Sequence, residues 1–569
     1  MSHACGSTGL LSLRVKQYCY KHLVFSLGHP ARVARIGMVL AILALTVSHL
    51  CGIGRPFEWG HDGFMGAHFM GSARGVLRGG LAFPVMAGLN EVPLRRQDAF
   101  LHHPLLANIE YTSVAAIFGS REWVGRGLSL FHTLLAAVLL FFLTLLLTKS
   151  EARAAAATIT FALLPATHAF GSLIERDPLT IAYGLAATVA LLLFFRAPAD
   201  KRGRYATAVL ATSVLAANSD WEAFYLLGLL CLTCTWLSWR QRSLLTLGVG
   251  VGIGVAAVSA VGLHFFIVQR AGLLQDLLNS FHFRTELALP ASVYWSRMGR
   301  WFRIGFGWPG VVLTTLFCIS LLVRTITRSL RTIDFAAASL LFAGLGHYLL
   351  FKQACWIHIF LIAHLSAGVA LASASIIADT TAWLLQHGEV GRGLIGLLWI
   401  AILAVEAPAT WDALTEARAH ADTLDQEHYP SGYDERLRVA DETRCLTLPG
   451  SRIAVLQGTD RIEWDWHLDR PYDVVNARML PSSDRYAALV AEEREISAPL
   501  RAVLLADHPA RRLGPWLIID FATNNVGTTD LHFAEAALSP IDRFFRAPFS
   551  RLLDVRDARG NPASACGPP

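Results

Sequence analysis

Ionisable side chains in this chain gather in a few polar stretches between long apolar runs. The longest stretch, 53–123, holds His61 and Asp62 and, further on, His102 and His103. Glu175, Arg176 and Asp177 stand together in a second stretch, and Asp220 and Glu222 in a third. A fourth, 269–305, carries Arg270, Asp276, Arg284, Arg297, Arg300 and Arg303, and a fifth carries Lys352 and His358. A carboxylate at an apolar boundary can take a proton from an attacking hydroxyl. Arginines and a lysine nearby can neutralise a phosphate leaving group. The same residues also have plainer uses. Asp62 suits the N-cap of a helix over 63–77. Asp177 suits a cap as well, since Pro178 favours the first helical position. His102 and His103 fall in a turn before Pro104. Arg297, Arg300 and Arg303 fit one face of an interfacial helix over 292–303, beside Tyr294, Trp295 and Trp301. Lys352, at a helix end, can snorkel as well as bind phosphate.

The elements that must position these groups are membrane helices. Hydrophobic residues make up 54% of the 569 residues and charged residues 16%, against about 25% charge in an ordinary soluble domain. That composition excludes a disordered chain, a fibrous repeat and a small disulfide scaffold. A spanning helix needs about 20 mostly apolar residues. The runs that qualify are 33–52, 124–148, 153–171, 178–196, 205–219, 221–239, 243–268, 306–324, 334–351, 357–377 and 393–408, which predicts about eleven transmembrane helices. The polar group Asn218–Ser219–Asp220–Trp221–Glu222 divides 205–239 into two helices. With the N-terminal segment 1–32 in the cytoplasm, the predicted inner loops carry twelve Lys and Arg, and the short outer turns only Arg176 and Lys352. This is the asymmetry of the positive-inside rule, and a single pass over 205–239 would destroy it. The expected organisation is a membrane domain over 33–408, with a long first external loop at 53–123, in a bacterial cytoplasmic membrane.

Residues 409–569 turn polar and are expected to form an extracytoplasmic α/β domain. Strand-like runs lie at 452–456 and 517–521, helical patterns near 410–426 and 483–495, and a Gly/Pro/Ala-rich tail at 557–569. Cys445 and Cys566 are a candidate pair in an oxidising compartment. Cys231 and Cys234 form a CxxC inside an apolar run, which reads as packing. The net charge of +6 does not point to nucleic acid, because no basic stripe is interleaved with aromatics. No internal repeat is evident.

This topology gathers the acids, imidazoles and arginines on one membrane face. An ionisable group at the membrane edge is costly unless solvated or paired, so several converging turns mark a functional cleft. A sugar on a polyprenyl phosphate would present its headgroup at that depth. The reading is glycosyl transfer to the hydroxyl of a glycan, lipid or protein acceptor. A lipid phosphatase, a flippase or transporter of lipid-linked saccharides, and a non-catalytic envelope assembly protein stay open. A transporter should place paired charges near the bilayer midplane on broken helices, whereas here the charges lie at the outer ends.

Several motifs resemble a known family. Glu58-Trp59-Gly60-His61-Asp62-Gly63-Phe64 follows the first span. Then come Ala73, Arg74, Leu77, Arg78 and Gly80, the run His102-His103-Pro104-Leu105-Leu106, and Phe118-Gly119-Ser120-Arg121-Glu122-Trp123-Val124-Gly125-Arg126. This order resembles the first external loop of GT-C-fold glycosyltransferases, in the bacterial branch related to protein O-mannosyltransferases and aminoarabinose transferases. Asp62 matches the position of the family's catalytic base, and Asp177-Pro178-Leu179 its second acidic site, where Asp177 would position acceptor or metal. Asp220-Trp221, Trp356-Ile357-His358 and His467-Leu468-Asp469-Arg470-Pro471 resemble shorter family stretches. The resemblance implies inversion at the anomeric carbon. The cleft reading, together with the resemblance, gives expected substrate-binding roles to His61, His102, His103, Glu175, Arg176, Asp220, Arg270, Arg297, Arg300, Lys352 and His358. Gly63 stands where many members carry a second acid, so no metal site is assigned, and a divalent cation, Mg or Mn, is left as an open cofactor.

Overall fold

The computed structural model describes residues 30–54, 57, 61–77, 101–287 and 289–388, with scattered helical positions as far as 411. In the C-terminal part it describes 433–448, 451–456, 467–468, 472–475, 486–492, 496–513 and 516–521. Among the described residues, fifteen delimited α-helices precede the C-terminal part. These are α1 Pro30–Leu50, α2 His61–Leu77, α3 Leu106–Phe118, α4 Glu122–Thr148, α5 Glu151–Leu163, α6 Pro165–Phe170, α7 Asp177–Arg196 and α8 Arg202–Ser219. They continue as α9 Ala223–Gln241, α10 Leu244–Ala271, α11 Leu274–Thr285, α12 Ala291–Ile326, α13 Thr332–Leu350, α14 Lys352–Ile357 and, after a 3-10 turn at Ile359–Leu365, α15 Ser366–Leu385.

Each of the first ten predicted spans coincides with helix; of the eleventh, 393–408, half the positions lie outside the described residues and the described half is helical. Among the described residues, seven segments are long and apolar enough to cross a membrane: α4, α7, α9, α10, α12, α13 and Ile359–Leu385. The division of 205–239 is borne out, with α8 ending at Ser219 and α9 starting at Ala223. Pro165 breaks 153–171 into α5 and α6, because it cannot donate to the helix ladder. The interfacial helix and the span 306–324 merge into α12, kinked at Gly307 (φ 63°, ψ 170°), a backbone region that only glycine enters without strain.

Small residues set the close packing. The run Ala154–Ala157 of α5 is buried where α1, α4 and α15 converge. A Cβ on Gly250 of α10 would lie 2.8 Å from the Cβ of Cys234, so the CxxC does serve helix contact; both its cysteines are free thiols. The outward faces of α10 and α12 expose Leu244, Val255, Val258, Trp308 and Leu322, apolar surface that lipid would cover.

One end of the bundle is closed by an ionic network. Asp334, fully buried at the start of α13, accepts from Arg324 (2.7 Å) and Arg331 (3.0 Å). Asp379 of α15 accepts from Arg324 (2.7 Å) and Arg331 (2.8 Å), and Arg153 of α5 approaches to 3.4 Å. Three arginines and two aspartates thus join α5, α12, α13 and α15.

The C-terminal part contains α16 (Tyr433–Leu446), α17 (Ala498–Asp507) and strands β1 (Ile453–Leu456), β2 (Tyr472–Val475), β3 (Ala488–Glu492), β4 (Ala510–Leu513) and β5 (Trp516–Asp520). The sheet order is β2-β1-β3-β5-β4; β1 is parallel to β2 and β3, and β5 antiparallel to β3 and β4. Ile453, Val455, Val490 and Ile518 pack with Val439 of α16 on one face, while Ala454, Leu489 and Ile519 pack with Leu504 of α17 on the other. The expected strands are present at β1 and β5. The helix expected over 483–495 is instead the central strand β3. Its alternate residues fill both apolar layers, and pairing on both edges outweighs the helix propensity of an Ala- and Glu-rich segment. The region 410–426 lies largely outside the described residues, and the tail 557–569 wholly so. Cys445 is disulfide-bonded; Cys566, its expected partner, is outside the described residues.

Breaking a buried ion pair costs far more than losing an exposed one. Asp334→Asn should therefore lower the unfolding free energy in detergent micelles by about 3 kcal/mol. Glu151→Gln, which removes the exposed pair with Arg35, should cost under about 1 kcal/mol in the same titration.

Candidate active site

The turn between α6 and α7 holds Glu175, Arg176 and Asp177, all buried. Pro178 fixes the first turn of α7, and the acid at its start is favoured by the helix dipole. The Glu175 carboxylate accepts from the Arg176 backbone N–H (3.2 Å) and Nη1 (3.3 Å), and its carbonyl accepts from Tyr111 Oη (3.0 Å). The Arg176 guanidinium lies over the Phe69 ring of α2, 5.2 Å from its centroid. Asp177 Oδ1 lies 2.6 Å from Nε2 of His364, on the 3-10 turn.

The Thr180 hydroxyl donates to Ser219 Oγ (2.9 Å) and draws the end of α8 alongside, which delivers Asp220. Asp220 Oδ1 accepts from the Trp221 backbone N–H (2.7 Å) and from His103 Nδ1 (2.6 Å). His103 Nε2 in turn accepts from Arg284 of α11 (2.6 Å). A proton on Nδ1 is the tautomer that satisfies both bonds. Burial, with the Arg176 and Arg284 charges, pushes this imidazole well below its ordinary value against the pull of Asp220. Burial alone would lift the Asp220 carboxyl, but His103, Arg176 and the Trp221 N–H hold it below the usual range. Two residues on, Glu222 Oε1 lies 3.2 Å from His347 Nδ1 and 3.9 Å from His364 Nε2. Glu222 Oε2 and the hydroxyls of Tyr225 and Tyr348 are buried without a hydrogen-bond partner among the described residues. Such atoms are costly in an idle protein and suit an incoming polar ligand.

Asp62 stands apart. It lies in the first turn of α2, its side chain is 44% exposed, and Oδ2 accepts from Arg126 Nη2 (2.7 Å) and Nε (3.2 Å). Phe69, which meets Arg176, is seven residues further along α2, about 10 Å. Met65, Phe69 and Met70 of α2 share one apolar cluster with Tyr111, Val124, Ile174 and Leu179, so this helix and the Glu175–Asp177 turn are built on the same core. Behind it, Glu110 accepts from Tyr183 Oη and lies 3.2 Å from His132 Nε2. Burial first, then Arg176, pushes His68 on α2 down to about 3.

The structure therefore brings together Glu175, Arg176, Asp177, Asp220 and His103. His102 points elsewhere: Nε2 donates to Asp276 (2.6 Å), Nδ1 accepts from Ser280 (3.2 Å), and its carbonyl accepts from Trp221 Nε1 (2.8 Å). His61 begins α2, and its side chain lies outside the described residues. Arg270 and Lys352 are exposed, near the end of α10 and at the start of α14. His358 contacts the Phe360 ring (5.1 Å). Arg297 is sandwiched by Trp301 (4.9 Å) and Trp356 (4.1 Å), and with Ser292, Ser296 and Arg300 lines a pocket of about 630 Å³. Sequence reasoning gave no site role to Arg126, Glu222, Arg284, His347 or His364. A lone histidine inside an apolar span, as at 347 and 364, was the available signal. Among the described residues no group of three His, Cys, Asp or Glu is arranged to hold a metal ion, so the open divalent cation gains no ligand set here.

No protein-family model and no curated protein sequence matches the chain. Among solved structures it is similar to ArnT from Cupriavidus metallidurans bound to undecaprenyl phosphate. The TM-score is 0.60 at 13% identity, over 86% of this chain and 99% of that one. The apo state of the same ArnT gives a TM-score of 0.56 at 13% identity, over 85% and 97%. The Archaeoglobus fulgidus oligosaccharyltransferase tethered with an acceptor peptide gives 0.50 at 10% identity, over 81% and 69%. The chain has the GT-C fold of membrane glycosyltransferases.

A histidine whose folded value lies below its unfolded value of about 6.5 stabilises the fold above that pH, and the stability is lost as pH falls. His68 and His103 are of this kind. The difference in unfolding free energy between the native protein and His68→Gln should shift by up to about 1.4 kcal/mol per pH unit between pH 6.5 and 5, to the native protein's disadvantage. Denaturation in nanodiscs at pH 7.5, 6 and 5 reads this directly; a pH-independent difference contradicts it.

Proposed function

We propose that the protein is a membrane glycosyltransferase that moves a sugar from a polyprenyl-phosphate donor to an acceptor hydroxyl, with inversion. The acceptor oxygen attacks the anomeric carbon as the bond from that carbon to the phosphate oxygen breaks. Asp62 takes the hydroxyl proton. Arg126 grips Oδ2, which orients the carboxylate and leaves Oδ1 available, and the half-open side chain gives substrate access. The observation that carries the reading is this arginine-gripped carboxylate at the start of α2, built on the same apolar core as the buried Glu175–Asp177 turn, in a GT-C fold.

The deeper groups have supporting roles. Asp177, with His364 at its side, positions the acceptor. The unpartnered oxygens of Glu222, Tyr225 and Tyr348 offer bonds to sugar hydroxyls. Arg297 and Arg300 line a pocket at the start of α12 that suits the donor phosphate, with Arg270 and Lys352 as further exposed cations. The donor and acceptor kinds fit the neighbours, one of which was solved with undecaprenyl phosphate and another with an acceptor peptide. We place the protein in a bacterial cytoplasmic membrane, N-terminus inside, with 1–32 cytoplasmic, 33–408 as the membrane enzyme and 409–569 outside. The disulfide at Cys445 supports an oxidising compartment for that last domain.

Asp62→Asn keeps shape and hydrogen-bonding capacity but cannot take the proton. Cells carrying it should lose one envelope sugar, detected by mass analysis of glycans and glycolipids, while the protein stays folded and inserted. General-base losses of about 100-fold or more are expected in turnover. Retention of every envelope sugar defeats the assignment and favours a non-catalytic role.

A further inference from the structure

The C-terminal α/β domain touches the membrane domain at the chain segment that leads into α2. His467 Nε2 donates to the backbone carbonyl of Phe57 (3.0 Å). His467 is followed by Leu468, which is fully buried in the apolar layer of Val439, Ile453, Val490 and Ile518, so the imidazole is carried on the rigid core of the domain. Phe57 is itself fully buried, within the cluster that contains Met65, Met70 and Tyr111.

Two groups crowd the Phe57 ring. One is Gly66 of α2, where an added Cβ would come within 2.4 Å of the ring. Another is the Arg126 guanidinium, 5.1 Å from the ring centroid. That guanidinium makes both bonds to Asp62 Oδ2, and its Nη1 donates to the carbonyl of Ile53 (3.3 Å). The contacts form one unbroken sequence: Leu468 in the domain core, His467, the Phe57 carbonyl, the Phe57 ring, Arg126, Asp62. Along these contacts a shift of the Phe57 main chain would be passed to the ring, from the ring to the guanidinium, and from the guanidinium to the carboxylate.

We propose that His467 is a positioning residue through which the C-terminal domain sets the orientation of Asp62. The inference rests on the reading of Asp62 as the base. It gives the domain a part in the reaction without contact with substrate, and it makes the membrane site depend on the docked domain. Coupling of this kind is established by measurement at both ends of the contact sequence.

Asp62 reactivity provides a readout that needs no turnover. The full-length protein in nanodiscs is treated with a water-soluble carbodiimide and glycine methyl ester, and amide formation at Asp62 is followed by tandem mass spectrometry. His467→Ala should speed amidation by about fivefold, the factor implied by loss of one neutral hydrogen bond. His467→Gln, which keeps an N–H donor, should restore the native rate. Phe57→Leu tests the same sequence from its other end, since it retains the carbonyl and removes the ring under Arg126; it should also speed amidation. Arg511→Ala removes the Arg511–Glu442 pair within the same domain and should leave the rate unchanged. A native rate in His467→Ala and Phe57→Leu, or an equal acceleration in Arg511→Ala, overturns the proposal. Unchanged amidation defeats this inference alone, whereas an intact envelope sugar in Asp62→Asn cells defeats the base assignment alone.

Discussion

Carboxylates buried at the ends of apolar helices must be paired, and this requirement organises the molecule. A buried charge left without a partner costs several kcal/mol. Here Glu175 is answered by Arg176, Asp177 by His364, Asp220 by His103, and Glu222 by His347. Each partner after the first comes from a different element: the 3-10 turn, the 101–105 loop and the end of α13. Satisfying the acids therefore fixes how α7, α9, α13 and the loop before α3 meet. The residue types that make the site chemically useful are the ones that close this end of the bundle.

The other end is closed by the same principle with different chemistry. Arg153, Arg324 and Arg331 surround Asp334 and Asp379 in a network without histidine. The helix α13 joins the two ends, running from Asp334 to His347, about 20 Å apart at the rise of an α-helix. At one end the two acids of the network, Asp334 and Asp379, are saturated with arginine bonds. The other pairs its acids largely with imidazoles and, among the described residues, keeps oxygens of Glu222, Tyr225 and Tyr348 without partners, the contrast on which the proposed site rests. Asp62 differs from these acids by being half open and gripped on one oxygen only, the arrangement that the proposed role of general base calls for.

The site was partly legible in the sequence. The adjacency Glu175–Arg176–Asp177–Pro178 and the break at Asp220 could be seen because a polar turn between apolar spans has few uses. His102 and His103 were equally visible, yet they diverge, since neighbouring residues in an extended turn project to opposite sides; one meets Asp276 and the other Asp220. Arg270 and Lys352, expected from the sequence to join the acids, are exposed instead, near the end of α10 and at the start of α14. Arg284 and His364 had no distinguishing spacing. They lie more than 100 residues from Asp177 and matter only through the packing of distant helices.

By itself the sequence determined the helical spans, because about 20 apolar residues in a row admit few other structures, and the two edges of the polar turn within 205–239. It also determined the strands β1 and β5, whose branched and aromatic residues suit a buried sheet. Only tertiary structure decided that 488–492 is a strand, that Asp62 faces Arg126 rather than Asp177, and that His467 reaches Phe57. The physical reason is the range of the information. Hydropathy and propensity act over one helix or one strand, whereas the pairing of a buried charge depends on which distant segment packing brings within about 3 Å of it.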